Sequence, residues 1–445
     1  MNLAEQRWLR LFTLCLLYVA QGIPWGFTAT TIPAYLTSLG VSEALVASTL
    51  AFTVLPYTFK WLFGPLIDAF TIPSLGRRRP WIVFAQGMMA VTILAMVAVP
   101  DLRSDVKLLA WMILIHTVFN ALQDVAVDAL GVDLLGDDER GRANAFMYAS
   151  KIGGGVVGGV GMAKVIKWYG FDTALIVQVA ILLGIMMVPL LVRERPAGPP
   201  PERPQVGEVA RSLARAFSLR STLVGALFAL VIQLPYGITS GMGYGLFVGE
   251  LGWEYDEYLE LSAGWILVVG CAGAMLGGLV ADRVGRRRTA AVASIALALG
   301  WIGFALLRDH WTDATFIYVS SAYQAWWLYI MVGVLFAVFM DISWSKVGGS
   351  QFTAYMSLLN VGTTLGYQLV PSLTSRLDYG NIYLAMAVAQ IAITPMLLAI
   401  DLRQTRKDFD GLDGRPIRIG SVVAIGTLVA VLLGFTVYVT WQRLG

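Results

Sequence analysis

Lys60 stands inside an apolar run, VLPYTFKWLFGPLID, with no other charge before Asp68. A lysine at the centre of a membrane helix costs about 2.5–3.5 kcal/mol, so it is normally paired and normally functional. A second apolar run carries His116, Asn120, Asp124 and Asp128 at successive four-residue steps, with Gln123 beside them. Each step drifts only ~40° around a helix, so the four form a slowly winding polar stripe that must face protein or water. If the two runs are antiparallel helices, Lys60 and Asp124 each lie about 17 residues, roughly 25 Å, from the outer start of their helix. We therefore expect a Lys60–Asp124 ion pair that protons or substrate can break. Burial and a charged partner set the proton affinity of such a carboxylate, which suits proton coupling at Asp124. A permanent pair that only fixes helix packing would look the same in sequence. Asp128 belongs to the same set but lies nearer the cytoplasm, where a structural role competes. Lys151 opens a later glycine-rich span; it either binds an anion or snorkels to the interface.

Other side chains suit binding. Gln21-Gly22-Ile23-Pro24-Trp25-Gly26 and Gln233-Leu234-Pro235-Tyr236-Gly237 are two short matching motifs. Trp25 and Tyr236 lie mid-span beside helix-bending prolines. Tyr323, Gln324, Trp326 and Trp327 form a polar-aromatic patch. Flat faces and amides suit sugar rings or peptides, although core packing uses the same residues. Chemistry of other kinds finds little support. His116 and His310 make no metal set, and Cys15 and Cys271 support no disulfide framework. The Gly153 cluster lacks the lysine–hydroxyl ending of a nucleotide loop. No spacing supports nucleophilic or paired-carboxylate catalysis. A non-enzymatic protein without cofactor or metal is expected.

The elements that position these residues are membrane helices. Of 445 residues, 57% are hydrophobic and 14% charged, against about a quarter charged in soluble domains. The apolar residues come in runs of roughly 20, enough to cross the hydrocarbon core as helix. Twelve spans are expected, near 9–38, 43–67, 80–100, 107–133, 143–168, 172–192, 221–249, 256–280, 289–307, 313–341, 349–373 and 379–401, with an extra one near 421–441. Arginines cluster in alternate loops, as at 77–79, 140–142, 193–220 and 286–288, while the loop after the seventh span is acidic, with Glu250, Glu254, Asp256, Glu257 and Glu260. That places the N-terminus in the cytoplasm. The first span lacks a cleavage site and reads as a retained helix. Nothing suggests nucleic acid.

The chain also repeats. Gln21 precedes Asp68 by 47 positions and Gln233 precedes Asp282 by 49. Gly76-Arg77-Arg78-Arg79 answers Gly285-Arg286-Arg287-Arg288, and Asp128 and Asp341 are about 213 apart. Two homologous six-helix halves follow, a plan of transporters whose site lies between the halves. The expected division is 1–192 and 221–402 for the bundles, 193–220 for a cytoplasmic linker, and 403–445 for a loop and extra helix. The linker opens with the proline-rich RERPAGPPPERPQ and continues into EVARSLARAFSLR, a short amphipathic surface helix or a solvated connector.

Gly64…Asp68…Gly76-Arg77-Arg78-Arg79 and its partner Gly277…Asp282-Arg283…Gly285-Arg286 resemble the signature loop of the major facilitator superfamily. The resemblance implies an all-α major facilitator fold and a gating latch of Asp68, Arg77, Arg78, Asp282, Arg283 and Arg286. AQGIPWG, LPYTFKWLFGPLID, LGRRRPW, QDVAVDAL and DERGRANA resemble the AmpG-type muropeptide permease and acetyl-CoA transporter branch. This sequence has Ala69 where that branch usually carries arginine, and one extra C-terminal span where AmpG-type permeases typically have two. The branch implies proton-coupled import of anhydromuropeptides through a bacterial inner membrane, in monomeric form. Lys60 and Lys151 would meet substrate carboxylates, Asp124 would carry the proton, and Trp25, Tyr236, Trp326 and Trp327 would pack on sugar rings. Gln21, Asn120, Gln123, Gln233 and Tyr323 complete the expected binding set. A carrier of another organic anion, peptide-like compound or drug, working inward or outward, is the alternative; a membrane enzyme or sensor is more remote.

Overall fold

The structure, a computed structural model, describes residues 2–41, 53, 55–70, 72, 75–136, 138–194, 206–254, 257, 258 and 260–412, together with Thr427 and Gly434. Most of the outer part of the second span, the proline-rich 195–205, Asp256 and the body of the extra span at 421–441 lie outside the described residues.

Twelve helical elements follow in chain order. They are α1 (Arg7–Gly26), α2 (Phe63–Ala69), α3 (Arg79–Ala95), α4 (Val106–Leu134), α5 (Arg140–Val156), α6 (Phe171–Leu191), α7 (Arg220–Ile232), α8 (Ile266–Val284), α9 (Arg286–Leu306), α10 (Ala314–Asp341), α11 (Gly348–Thr374) and α12 (Tyr379–Ile393). Several extend through irregular turns. Past Pro24, α1 widens into a π-helical turn at Phe27–Thr31 and runs on through Ile32–Ser38. Such widening is how a helix absorbs the hydrogen bond that proline removes. A 3₁₀ turn, Lys60–Leu62, leads into α2. Asp313 and Asp378 cap α10 and α12 by accepting from Thr315 N and Asn381 N, which satisfies backbone donors the helix cannot.

Nine of the described helices are long and apolar enough to cross a membrane; α2, α5 and α11 are not among them. For α5 and α11 the reason lies in their surroundings. α5 lies against α1, α8 and α10, and α11 lies against α2, α4 and α7. Helices faced by protein can carry glycine, hydroxyl and charged residues that a lipid-facing helix cannot. α6, α9 and α12 show the converse. Ile176, Met187, Val292, Leu299 and Val388 are exposed there, as a hydrocarbon environment requires.

The packing repeats between the two groups of six. α1 on α5 is answered by α7 on α11, and α3 on α4 and α6 by α9 on α10 and α12. The groups meet through α5 on α8 and α2 on α11. Glycine sets the close approaches. A Cβ on Gly158 would lie 1.8 Å from the Ile23 carbonyl oxygen of α1, and one on Gly362 of α11 would lie 2.1 Å from that of Leu230 in α7. Gly154 and Gly155 pack on α1 in the same way, whereas Gly153 faces open space.

The linker helix Val206–Ala216 is no solvated connector. Val209 and Ala216 are buried with Trp344, Val347 and Leu412, and the helix lies over α2 and the start of α11. It thus touches both groups at one end of the bundle.

Candidate functional site

The polar stripe of α4 is buried throughout: His116, Asn120, Asp124 and Asp128 are all 3% exposed or less. Each member meets a different neighbour because the stripe winds. His116 Nδ1 lies 3.0 Å from Thr92 Oγ1 of α3, and Asn120 Nδ2 donates to the Gln21 carbonyl of α1 at 3.5 Å. Asp124 then meets two lysines. Lys60 Nζ is 2.7 Å from Oδ2 and Lys151 Nζ is 2.8 Å from Oδ1. Asp128 accepts from the Tyr18 hydroxyl of α1 and lies 3.9 Å from Lys60 Nζ. Two cations therefore face two carboxylates in a water-poor interior, and the cluster is neutral overall. Pairing is what makes buried charge tolerable.

The expected Lys60–Asp124 pair is present. Lys151 neither snorkels nor stands free; it completes the cluster while lying over the Tyr57 ring at 5.7 Å. Tyr18 is a member that sequence reasoning missed. It sits three positions before Gln21 on α1, in an apolar run with no polar signal of its own. Gln21 and Gln123 are fully buried, and both ends of each side-chain amide lack a hydrogen-bond partner among the described residues. Gln233 is buried with an unpartnered Oε1.

A cavity of about 760 Å³ lies beyond this cluster, toward the end of the bundle opposite the arginines. Trp25 and Tyr236, the matched pair from α1 and the α7 extension, both line it. Among the described residues, no Asp, Glu, Lys, Arg or His lines it. Nearly all of its wall comes from the second group of helices, with α1 and its extension supplying Trp25, Ala29, Thr30 and Pro33. The patch on α10 is placed differently from expectation. Gln324, Ala325, Leu328 and Tyr329 face the cavity, while Tyr323, Trp326 and Trp327 do not. The wall takes the arc of α10 that carries Ser321, Gln324, Ala325, Leu328 and Tyr329, and at 100° per residue positions 323, 326 and 327 fall outside that arc. Tyr323 is exposed and Trp326 backs onto Gly273 of α8. The aromatic wall instead uses Tyr258, Trp301, Tyr329 and Tyr367. Trp25 also touches α5: a Cβ on Gly155 would lie 2.9 Å from its ring. Gly155 is one turn from Lys151, so the charge cluster and the cavity wall are neighbours.

The arginine-rich end is closed by two related networks. Asp68 Oδ1 holds Arg78 at 2.6 Å and Arg77 at 3.1 Å, and Arg78 Nε reaches Asp133 at 2.8 Å. Asp68 Oδ2 accepts from Ser350 N and Oγ at the start of α11, in the other group. In the second network Asp282 accepts from Arg142 N at 3.1 Å at the start of α5, again in the other group. Arg286 reaches Asp341 at 2.6 Å, and Arg140 crosses to Asp341 at 3.3 Å. Each signature aspartate thus sits on a helix N-terminus of the opposite group, where the backbone N–H groups favour an anion. Burial opposes the charge on Arg78, yet Asp133 and Asp68 outweigh it and push its already high pKa further up.

Two expectations about this end need correction. Arg283 is exposed and has no ion pair among the described residues, so the latch is carried by Arg77, Arg78 and Arg286. The alanine at 69 therefore removes nothing from it. Asp341 plays the part of Asp133, not of Asp128; Arg78–Asp133 and Arg286–Asp341 are the equivalent pairs. Missed entirely was Glu194, whose carboxylate accepts from the backbone N–H groups of Arg77, Arg78 and Arg79 at the start of α3. An acidic residue in the arginine-rich linker was the available signal.

Paired six-helix groups, a buried neutral charge cluster and a cavity closed at one end define a multi-pass membrane transporter. The profile of the Major Facilitator Superfamily matches residues 14–367, and the chain belongs to that family. Among curated proteins, the chain is 25% identical to the anhydromuropeptide permease of Escherichia coli K12 over 298 residues, 66% of this chain and 60% of that one. It thus spans less than two thirds of that relative. It is 23% identical over 310 residues to a Rickettsia conorii protein named as transporter AmpG 4, covering 67% of this chain and 74% of that one. Among solved structures it is similar to the proton:xylose symporter XylE, with a TM-score of 0.68 at 14% identity, covering 88% of this chain and 96% of that chain. That last likeness shows the fold.

Proposed function

We propose that the protein is a proton-coupled importer of anhydromuropeptides working by alternating access in a bacterial inner membrane. The arginine-rich end faces the cytoplasm, by the distribution of basic loops, and residues 1–192 and 221–402 are the two rocking halves. The aspartate–helix contacts at Asp68 and Asp282 hold the cytoplasmic side shut, so the arrangement is the outward-facing one. Lys60, Asp124 and Asp128 form the coupling centre.

The observation that carries the substrate reading is the division of the site. One wall is aromatic and amide-bearing, with no Asp, Glu, Lys, Arg or His among the described residues that line it; it suits the faces of sugar rings. Next to it, across Trp25 and Gly155, lies Lys151, which suits a peptide carboxylate. A molecule that is part sugar and part acidic peptide matches both. The permease among the relatives supports the same class.

The test is uptake of a labelled 1,6-anhydromuropeptide into proteoliposomes, with and without an inward pH gradient. Gradient-dependent accumulation is expected. Equal, leak-level uptake in both conditions would overturn the reading.

A further inference from the structure

The two carboxylates of the charge cluster are held unequally. Asp124 has both lysines within 2.8 Å. Asp128 has the Tyr18 hydroxyl on Oδ1 and only Lys60, 3.9 Å away, near Oδ2. Few other ionisable groups bear on Asp128. α1 offers Tyr18 and, one turn earlier, Cys15; the segment before α2 offers Tyr57 and Lys60; α5 offers Lys151. The only ionisable side chains of α11 are Tyr355 and Tyr367, and α3 has only Arg79, which bonds to carbonyls of α6.

We propose that Asp128, and not Asp124, takes up the transported proton, and that this step frees Lys151 to bind a carboxylate of the substrate. The inference rests on the transport reading above and assigns its coupling step. A proton on Asp124 would strand two ammonium groups in a low-dielectric interior, the costly way to break a buried pair. A proton on Asp128 Oδ2 breaks no short contact, and Tyr18 still donates to Oδ1. The site then changes from two positive and two negative charges to an excess of one positive charge. In a low-dielectric setting that excess is relieved by an incoming anion.

Of the two lysines, Lys151 can meet the anion. Its side chain is 23% exposed against 5% for Lys60, and its helix touches the cavity wall one turn away through Gly155 and Trp25. Lys60 stays on Asp124 as the anchor. One proton and one carboxylate enter together, so the loaded site is neutral again. Loss of the proton from Asp128 returns Lys151 to Asp124 and expels the carboxylate.

Two measurements test this. Infrared difference spectra of the detergent-solubilised full chain, recorded between acid and mildly alkaline buffer, should show a carboxylic-acid carbonyl band. It should vanish in Asp128→Asn and survive in Asp124→Asn. The reverse pattern would overturn the proposal. Should Asp128→Asn not fold, Tyr18→Phe serves: it should raise the band's half-titration by about one pH unit, the size of one hydrogen bond to a charged group. No movement would count against Asp128. These spectra need no substrate, so they stand even if the muropeptide reading fails. The second measurement is binding of a 1,6-anhydromuropeptide and of its carboxyl-amidated form. Lys151→Gln should weaken the acid about tenfold, to the level of the amide. If wild type binds the acid and Lys151→Gln binds it equally well, the role of Lys151 is lost. No binding by wild type would sink the substrate class instead.

Discussion

At the scale of residues, the account turns on which partner each buried charge has. Lys60→Met leaves Asp124 with Lys151, so the fold should survive, but Asp128 loses its nearest cation among the described residues. Gradient-driven uptake should fall to background while the purified variant still unfolds cooperatively. Asp124→Asn is the harsher change, because it leaves two ammonium groups without their shared carboxylate. Its expected cost is about 3–5 kcal/mol, larger than that of Lys60→Met, and thermal unfolding in detergent would rank the two. The Lys60–Asp124 pair was legible from spacing because both residues sit on regular helices of known rise. Lys151 and Tyr18 were not, since joining them to the cluster needs the rotation of α5 and α1 about their axes. The same limitation misplaced Tyr323, Trp326 and Trp327, which lie on the wrong side of α10 from the cavity.

At the scale of elements, glycine decides how closely helices meet. Gly158→Val would drive its side chain into the Ile23 carbonyl and should abolish folded protein, read as loss of the monodisperse peak on size exclusion. Gly141 has a different task. A Cβ there would lie 2.0 Å from Asp282 Oδ1, at the contact between α5 and α8. Gly141→Ala should therefore wedge the closed end open without unfolding either group. Labelling of single cysteines placed beside Arg142 should become faster in that variant, and unchanged labelling would contradict the latch. Nine of the twelve expected spans are described helices long and apolar enough to be legible from hydropathy. That α5 and α11 are the least lipid-like was visible in their glycines and polar residues, yet only packing explains it: they lie inside the bundle.

At the scale of the whole molecule, two latches of the same design hold the two groups together at one end. Each puts an aspartate of one group on a helix start of the other. They differ in depth: Asp68 is fully buried, while the Asp282 side chain keeps 14% exposure. Asp68→Asn should thus shift the molecule toward its cytoplasm-open arrangement more than Asp282→Asn, measurable as distance distributions between spin labels across the closed end. The repeat that foretold this symmetry was sound for Asp68 and Asp282. It paired Asp341 with the wrong partner because loop lengths differ between the halves, and only contacts show that Asp133 is the equivalent residue.

Proton movement driven by substrate alone is the most direct test of the coupling. A 1,6-anhydromuropeptide is added to proteoliposomes with no imposed gradient, and the external pH is followed. Wild type should make the medium more alkaline as protons enter with substrate, while Asp128→Asn should show no pH change yet still exchange labelled for unlabelled substrate. Proton entry in Asp128→Asn at the wild-type rate would contradict the account.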